Sequence, residues 1–135
     1  MLDTNTVSAA IRGIESVDRR LLTVHVHDWC LSSVTRSELQ FGVARMPGST
    51  RLAARVSAFL ELANTLPWDS RAADHHGALR AKLRQTGNFI GDFDEMIAAH
   101  ALAVGATLVT DNLRHFSRVE GLRLENWIGR QAPAS

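Results

Sequence analysis

An α/β fold with a mainly parallel sheet is what this sequence predicts, and three observations predict it. Short apolar segments of β type alternate with longer segments of helical periodicity. Ser, Thr, Asp and Gly stand where those helices would begin and end. Acidic residues follow the apolar segments, and in a parallel sheet the ligand crevice lies beyond the carboxyl ends of the strands.

Taken in order, Met1-Leu2-Asp3-Thr4-Asn5 reads as a truncated strand ending in polar residues, and Val7–Ile14 as a short helix stopping near Gly13. His25 and His27 alternate as on an edge strand. Trp29–Val34 is the second strand. Thr35 is the expected N-cap of the next helix, with Glu38 three residues on as its capping-box partner and Leu39, Val43 and Ala44 at helical spacing. Pro47-Gly48-Ser49 breaks that pattern. Arg51–Leu62 places Leu52, Val56, Phe59 and Leu60 on one face and arginines on the other. Ser70–Gln85 follows, capped near Asp69 and stopped by Gly87. Asp92 is the expected cap of a helix whose apolar face is Phe93, Met96, Ile97, Ala101 and Val104, ending at Gly105. Ala106–Thr110 suits a buried strand, and Leu122–Trp127 a last one. Residues 129–135 read as a frayed tail.

The bulk properties limit the classes of function. A chain of 135 residues, 45% hydrophobic and 21% charged, is one ordinary globular domain that needs no disulfide. Cys30 is the sole cysteine, so no intrachain disulfide exists and a reducing compartment, the cytoplasm, is expected. No membrane span is expected either: the longest apolar stretch, Met96–Val109, is interrupted by His100 and Gly105. Net charge is only +1, so any nucleic-acid affinity must be local. Of the 15 basic residues only Lys82 is lysine. Arginine suits bidentate phosphate contacts, although coding bias would give the same composition.

The acids carry the chemistry. Asp3 follows the first strand, Glu38 lies in the first turn after the second, Asp94 opens the helix leading to the late strand, and Asp111 follows that strand. Singly, each has a structural explanation as a cap, a turn residue or a partner of the helix dipole. Together they do not: two carboxylates about 4 Å apart repel by roughly 4 kcal/mol at an effective dielectric of 20, so a cluster calls for a cation or raised pKa values. Carboxylates are hard donors suited to Mg²⁺ or Mn²⁺, which activate water and neutralise phosphoryl charge.

At these residues the chain resembles PIN domains. Leu2-Asp3-Thr4-Asn5, Ser33 to Leu39, Ile90-Gly91-Asp92-Phe93-Asp94 with Ala98-Ala99-His100-Ala101, and Leu108-Val109-Thr110 stand in that family's order and spacing. Gly42, His115-Phe116 and Gly121-Leu122 through Asn126-Trp127 agree with it. The likeness spans nearly the whole chain and is to VapC toxins of bacterial toxin–antitoxin pairs. It implies a three-layer PIN-like fold over residues 1–128, with a short mainly parallel sheet flanked by helices. It also implies an Mg²⁺- or Mn²⁺-dependent endoribonuclease, with tRNA the foremost substrate class and ribosomal or messenger RNA the alternative. A VapB-type antitoxin and a homodimer that assembles further with it are implied too. By position Asp3, Glu38 and Asp94 take the family's first three acids, catalytic and metal-ligating. The fourth acid departs: Asn112 holds its place, with Asp111 before it, so the expectation is one firmly bound metal that Asn112 or Asp111 reaches through water.

Other features are weighed as structural. His75-His76 are expected on a solvated helix face and His100 in local packing. Trp29, Trp68 and Trp127 are expected in the core or an interface. Arg51 with Arg55, and Arg80 with Arg84, would be solvated, or line a phosphate track or meet an acidic antitoxin. Thr4 and Thr110 are candidates to orient carboxylates through their hydroxyls. Two other classes stay open: an Asp3 phosphatase, for which Asp3-Thr4-Asn5-Thr6 lacks a second aspartate, and a module that only docks with a protein. No G-x-G-x-x-G or Walker A sequence supports a nucleotide cofactor.

Overall fold

A computed structural model describes residues 1–129, so the tail expected at 129–135 falls, beyond Gly129, outside the described residues. Seven helices and four two-residue strands follow one another: α1 Thr4–Ile11, α2 Glu15–Thr23, β1 Leu31–Ser32, α3 Ser33–Ala44, α4 Thr50–Leu62, β2 Thr65–Leu66, α5 Ser70–Gln85, α6 Asp92–Val104, β3 Leu108–Val109, α7 Leu113–Phe116 and β4 Leu124–Glu125.

The strands are short, but main-chain bonds join them into one parallel platform. β1 pairs with β2 through Leu31 and Thr65, and β3 with β4 through Leu108 and Leu124. The first three residues lie between the two pairs. Leu2 forms a parallel bridge to Val109, its N–H donates to Cys30 O at 2.9 Å, and Asp3 N–H donates to Val109 O at 2.9 Å. The order across the platform is therefore β2, β1, residues 1–3, β3, β4.

Side chains alternate across it with period two, as a pleat requires. Met1 and Leu108 point into a cluster with Leu79, Leu83, Ile97 and Phe116 from α5, α6 and α7. Leu2, Leu31 and Val109 point the opposite way, to Val7, Val17, Val56 and Leu60 from α1, α2 and α4. This is the three-layer α/β arrangement that the alternation of segments predicts. Trp29 and Trp127 are core residues of the second cluster, and Trp68 packs against the first.

Several local expectations are corrected. The helix expected to be capped by Thr35 starts three residues earlier, because the Ser32 hydroxyl accepts from Val34 N–H at 3.1 Å and caps it; Thr35 is fully buried inside α3. There is thus no Thr35–Glu38 capping box, and Glu38 sits beyond the first turn. Strand β1 correspondingly stops at Ser32, not Val34. Asp92 is the first residue of α6 and not its cap; that place is Gly91, at φ +107°. The predicted face of α6 holds only at its middle: Ile97 and Ala101 are buried and Met96 packs against the core, but Phe93 and Val104 are exposed, while Glu95, Ala98, Ala99, His100 and Ala103 are buried as well. Four alanines make α6 thin enough to be covered on nearly all sides. His25 caps a 3₁₀ turn, Val26–Asp28, and His27 lies within it, so the pair is not on a strand. Helices α2 and α7 and strand β2 are structure that the sequence pattern alone does not announce.

Candidate active site

Asp3 caps α1: its Oδ1 accepts from Thr6 N–H at 2.8 Å. Because the backbone leaves the centre of the sheet here, this carboxylate is 3% exposed at the carboxyl end of the platform. Burial pushes its pKa above the ordinary aspartate value. Hydrogen bonds from Thr110 and Thr6 pull it back, and the charge of Asp111 adds to the rise.

Glu38 reaches the same edge from the second turn of α3. It is half-buried, and the Thr4 hydroxyl donates to its Oε1 at 2.6 Å. Thr4 also lies 3.4 Å from the Thr35 hydroxyl. The contact that fixes Glu38 therefore comes from the residue after Asp3, across 34 positions of sequence.

Asp94 comes from the first turn of α6. His115 Nε2 lies 3.2 Å from its Oδ2 and also meets the Ile90 carbonyl. Two acceptor oxygens at one ring nitrogen require the proton to be on Nε2. Burial raises the Asp94 pKa; His115 lowers it, and Asp3 and Glu38 raise it further. Gly91 enters α6 at φ +107°, a backbone conformation that favours glycine, and a Cβ there would meet Asp94 Oδ2 only in ordinary contact at 4.0 Å.

Asp94 thus feels Asp3 and Glu38, and Asp3 feels Asp111, so four acids from four segments form one field of negative charge. Asp111 and Asn112 are both exposed. The Asn112 N–H donates to the Thr110 hydroxyl at 3.0 Å, its carbonyl caps α7, and its side chain caps nothing. No three His, Cys, Asp or Glu side chains among the described residues close on one point as a finished coordination shell. A hard divalent cation still fits. Magnesium ordinarily takes one or two carboxylates and completes its shell with water and phosphate oxygens, and mutual repulsion among oxygen donors is what a cation relieves.

Other expected features resolve into structure. His100 is buried with Nδ1 2.8 Å from the Ser32 hydroxyl. His75 is exposed, whereas His76 is half-buried edge-on against Trp68, with no hydrogen bond at Nε2. Arg84 is no free phosphate contact: it holds the fully buried Glu95 through two bonds of 3.0 and 3.4 Å, with Arg80 3.8 Å away. Sequence reasoning missed the contacts of both Glu95 and His115. Their partners lie on other helices, and nothing in local spacing marks them.

The chain matches the PIN domain family over residues 1–122. It is 38% identical over 127 residues to the tRNA(fMet)-specific endonuclease VapC of Salmonella typhimurium, covering 94% of this chain and 96% of that protein. Ribonuclease VapC2 of Haemophilus influenzae is 38% identical over 130 residues, covering 95% and 97%. Among solved structures, DNA-bound VapBC from Salmonella typhimurium superposes with a TM-score of 0.89 at 38% identity, covering 94% of this chain and 96% of that one. VapBC2 from Rickettsia felis, bound to a DNA fragment from its promoter, gives 0.88 at 34% identity, covering 94% and 97%.

Proposed function

Since this chain belongs to the PIN-domain family, and within it to the VapC ribonucleases of toxin–antitoxin pairs, we propose that Asp3, Glu38 and Asp94 are its catalytic, cation-holding residues. The cation is Mg²⁺ or Mn²⁺, and tRNA is the substrate class. Residues 1–128 form the PIN domain. One observation carries the assignment of the site: carboxylates from α1's cap, α3 and α6 meet at the carboxyl edge of the parallel platform, where the charges of Asp3 and Glu38 both raise the pKa of Asp94.

A bound divalent cation would lower the pKa of water and neutralise phosphoryl charge. The chain supplies the placement. Asp3 is fixed by the Thr6 amide, and Glu38 is turned toward it by the Thr4 hydroxyl. His115 holds one oxygen of Asp94. Glu38 and Asp94 each keep a second oxygen for the cation or its water. Asp111 or Asn112, exposed beside Asp3, bears on the cation through water.

Likeness to the VapBC complexes supports a VapB-type antitoxin as partner, with a homodimer that assembles further with it. The tRNA(fMet)-specific relative supports tRNA over other RNA.

The test is cleavage of a bacterial tRNA pool by the purified, antitoxin-free protein with EDTA, Mg²⁺ or Mn²⁺, beside Asp94→Asn. Discrete fragments are expected from the parent with metal only, with Asp94→Asn folded and inactive. An active Asp94→Asn protein, or cleavage that persists in EDTA, would overturn the assignment.

A further inference from the structure

Beside the carboxylates lies a cavity of about 480 Å³ lined by Thr4, Ser37, Glu38, Phe41, Gly42, Arg45 and Phe93. Two of its walls are aromatic rings that the fold leaves uncovered: Phe41 from α3 is 62% exposed and Phe93 from the first turn of α6 is 53% exposed. Water contact for two phenyl rings is unfavourable, and neither ring is needed by the core clusters. The Arg45 guanidinium carbon stands 5.5 Å from the Phe41 ring centre.

Gly42 is the second unexplained residue. It lies inside α3, where glycine is a poor helix former, and its φ is not positive. A Cβ at this position would meet nothing within 4 Å. Neither backbone conformation nor crowding in the free chain requires glycine there. The same residue, with Thr4 and Glu38, also lines the neighbouring hollow that runs to Arg12. Its bareness deepens the cavity floor beside Glu38.

From these observations we propose that the cavity is a base-binding subsite, in which one unstacked nucleobase of a single-stranded RNA segment stacks on Phe41 and Phe93 over Gly42, with Arg45 toward the adjoining phosphate. The inference rests on the ribonuclease reading. Its force comes from continuity: Thr4 and Glu38 belong both to this cavity and to the acidic edge, so a nucleotide flanking a phosphate at those acids must lie against this surface. Aromatic faces with an arginine are the usual platform for splayed-out bases, and every base presents a π-face to them.

The experiment uses the full chain carrying Asp94→Asn, with Mg²⁺, and two fluorescein-labelled probes of equal length. One is a short single-stranded RNA of mixed sequence; the other has the same phosphate spacing with abasic tetrahydrofuran units. Anisotropy titrations should show a preference for the base-bearing strand. Phe41→Ala and Phe93→Ala should each reduce that preference by about five- to hundredfold, the scale of one base–aromatic stack, while leaving affinity for the abasic strand unchanged. Gly42→Leu should do the same by filling the floor, and Gly42→Ala should raise Tm because no neighbour obstructs a methyl group. The exposed rings make unfolding an inadequate explanation, and melting curves check it.

Unchanged strand preference in both phenylalanine variants overturns the proposal. It also falls if those variants keep the strand preference and lose only binding of a VapB-type antitoxin, which would give the cavity to a protein segment. Failure of the nuclease reading is separate. It would show as absence of tRNA cleavage by the chain with Asp94 intact, whatever the probes report.

Discussion

Asp3 caps α1 with one oxygen while sitting, almost fully buried, in a field of like charge. The two roles conflict. Its pKa is raised in the fold, so the folded state binds the proton more tightly than the unfolded chain does. Stability from this residue is present below the unfolded pKa and is lost as pH rises through the folded value, which leaves ionised Asp3 a cost at neutral pH. Asparagine caps as well as aspartate and carries no charge. Asp3→Asn is therefore expected to stabilise the metal-free protein while abolishing cleavage. Calorimetry without and with Mg²⁺ checks this: the parent should gain Tm on adding cation and the variant should not. A less stable Asp3→Asn would show that the carboxylate is not strained there. The position of Asp3 was legible in the sequence, but its burial was not. Nor was the Thr4–Glu38 contact, since the spacing of Thr35 and Glu38 offered a local alternative that the fold does not use.

At the scale of elements, α6 is the member that holds the site, and two contacts hold α6. Glu95, fully buried, is clasped by Arg84 from α5, with Arg80 nearby. Removing one partner of a buried pair ordinarily costs 3–5 kcal/mol. Here Arg80 and partial exposure of Arg84 soften that, so Arg84→Met should cost roughly 2–3 kcal/mol in urea unfolding. A loss under about 0.5 kcal/mol, the level of an ordinary surface change, would mean that Glu95 does not depend on the clasp. The second contact joins α6 to the cap of α3. Ser32 accepts from Val34 N–H, which leaves its own proton free to go to His100 Nδ1, the arrangement a neutral imidazole takes. Burial lowers the His100 pKa, with Asp69 opposing. The folded state then binds fewer protons than the unfolded chain, so stability is full above about pH 6.5 and falls as pH drops below it. Tm should decline between pH 7 and 5, and His100→Asn should flatten that slope; an unchanged slope would place the acid sensitivity elsewhere. The sequence placed α4 from its one-sided apolar stripe and α5 from its cap at Asp69 and its stop at Gly87, both almost to the residue. It found only part of the buried surface of α6, because a helix covered on nearly every side has no polar face to read.

Across the whole molecule, residues 1–3 join two strand pairs that share no other ladder among the described residues. Leu2 is fully buried between Cys30 and Val109. Leu2→Ala should thus cost about 3 kcal/mol, more than its share of buried area alone, because it opens a cavity at the seam between both halves. Hydrogen exchange should show faster exchange at Asp3, Val109 and Leu31 together; loss confined to Asp3 would mean that the halves cohere without this seam. What the sequence by itself determined is the α/β class, the order of the main helices and the candidacy of Asp3, Glu38, Asp94 and Asp111 for one edge of the sheet. Those follow from local periodicity and from the chain direction of parallel strands. Only the tertiary structure decided which oxygen each acid has left, that His115 and Thr4 hold two of them, that Glu95 needs arginines from another helix, and that Phe41 and Phe93 flank one cavity. Each is a contact between segments distant in the chain, fixed by packing rather than by spacing.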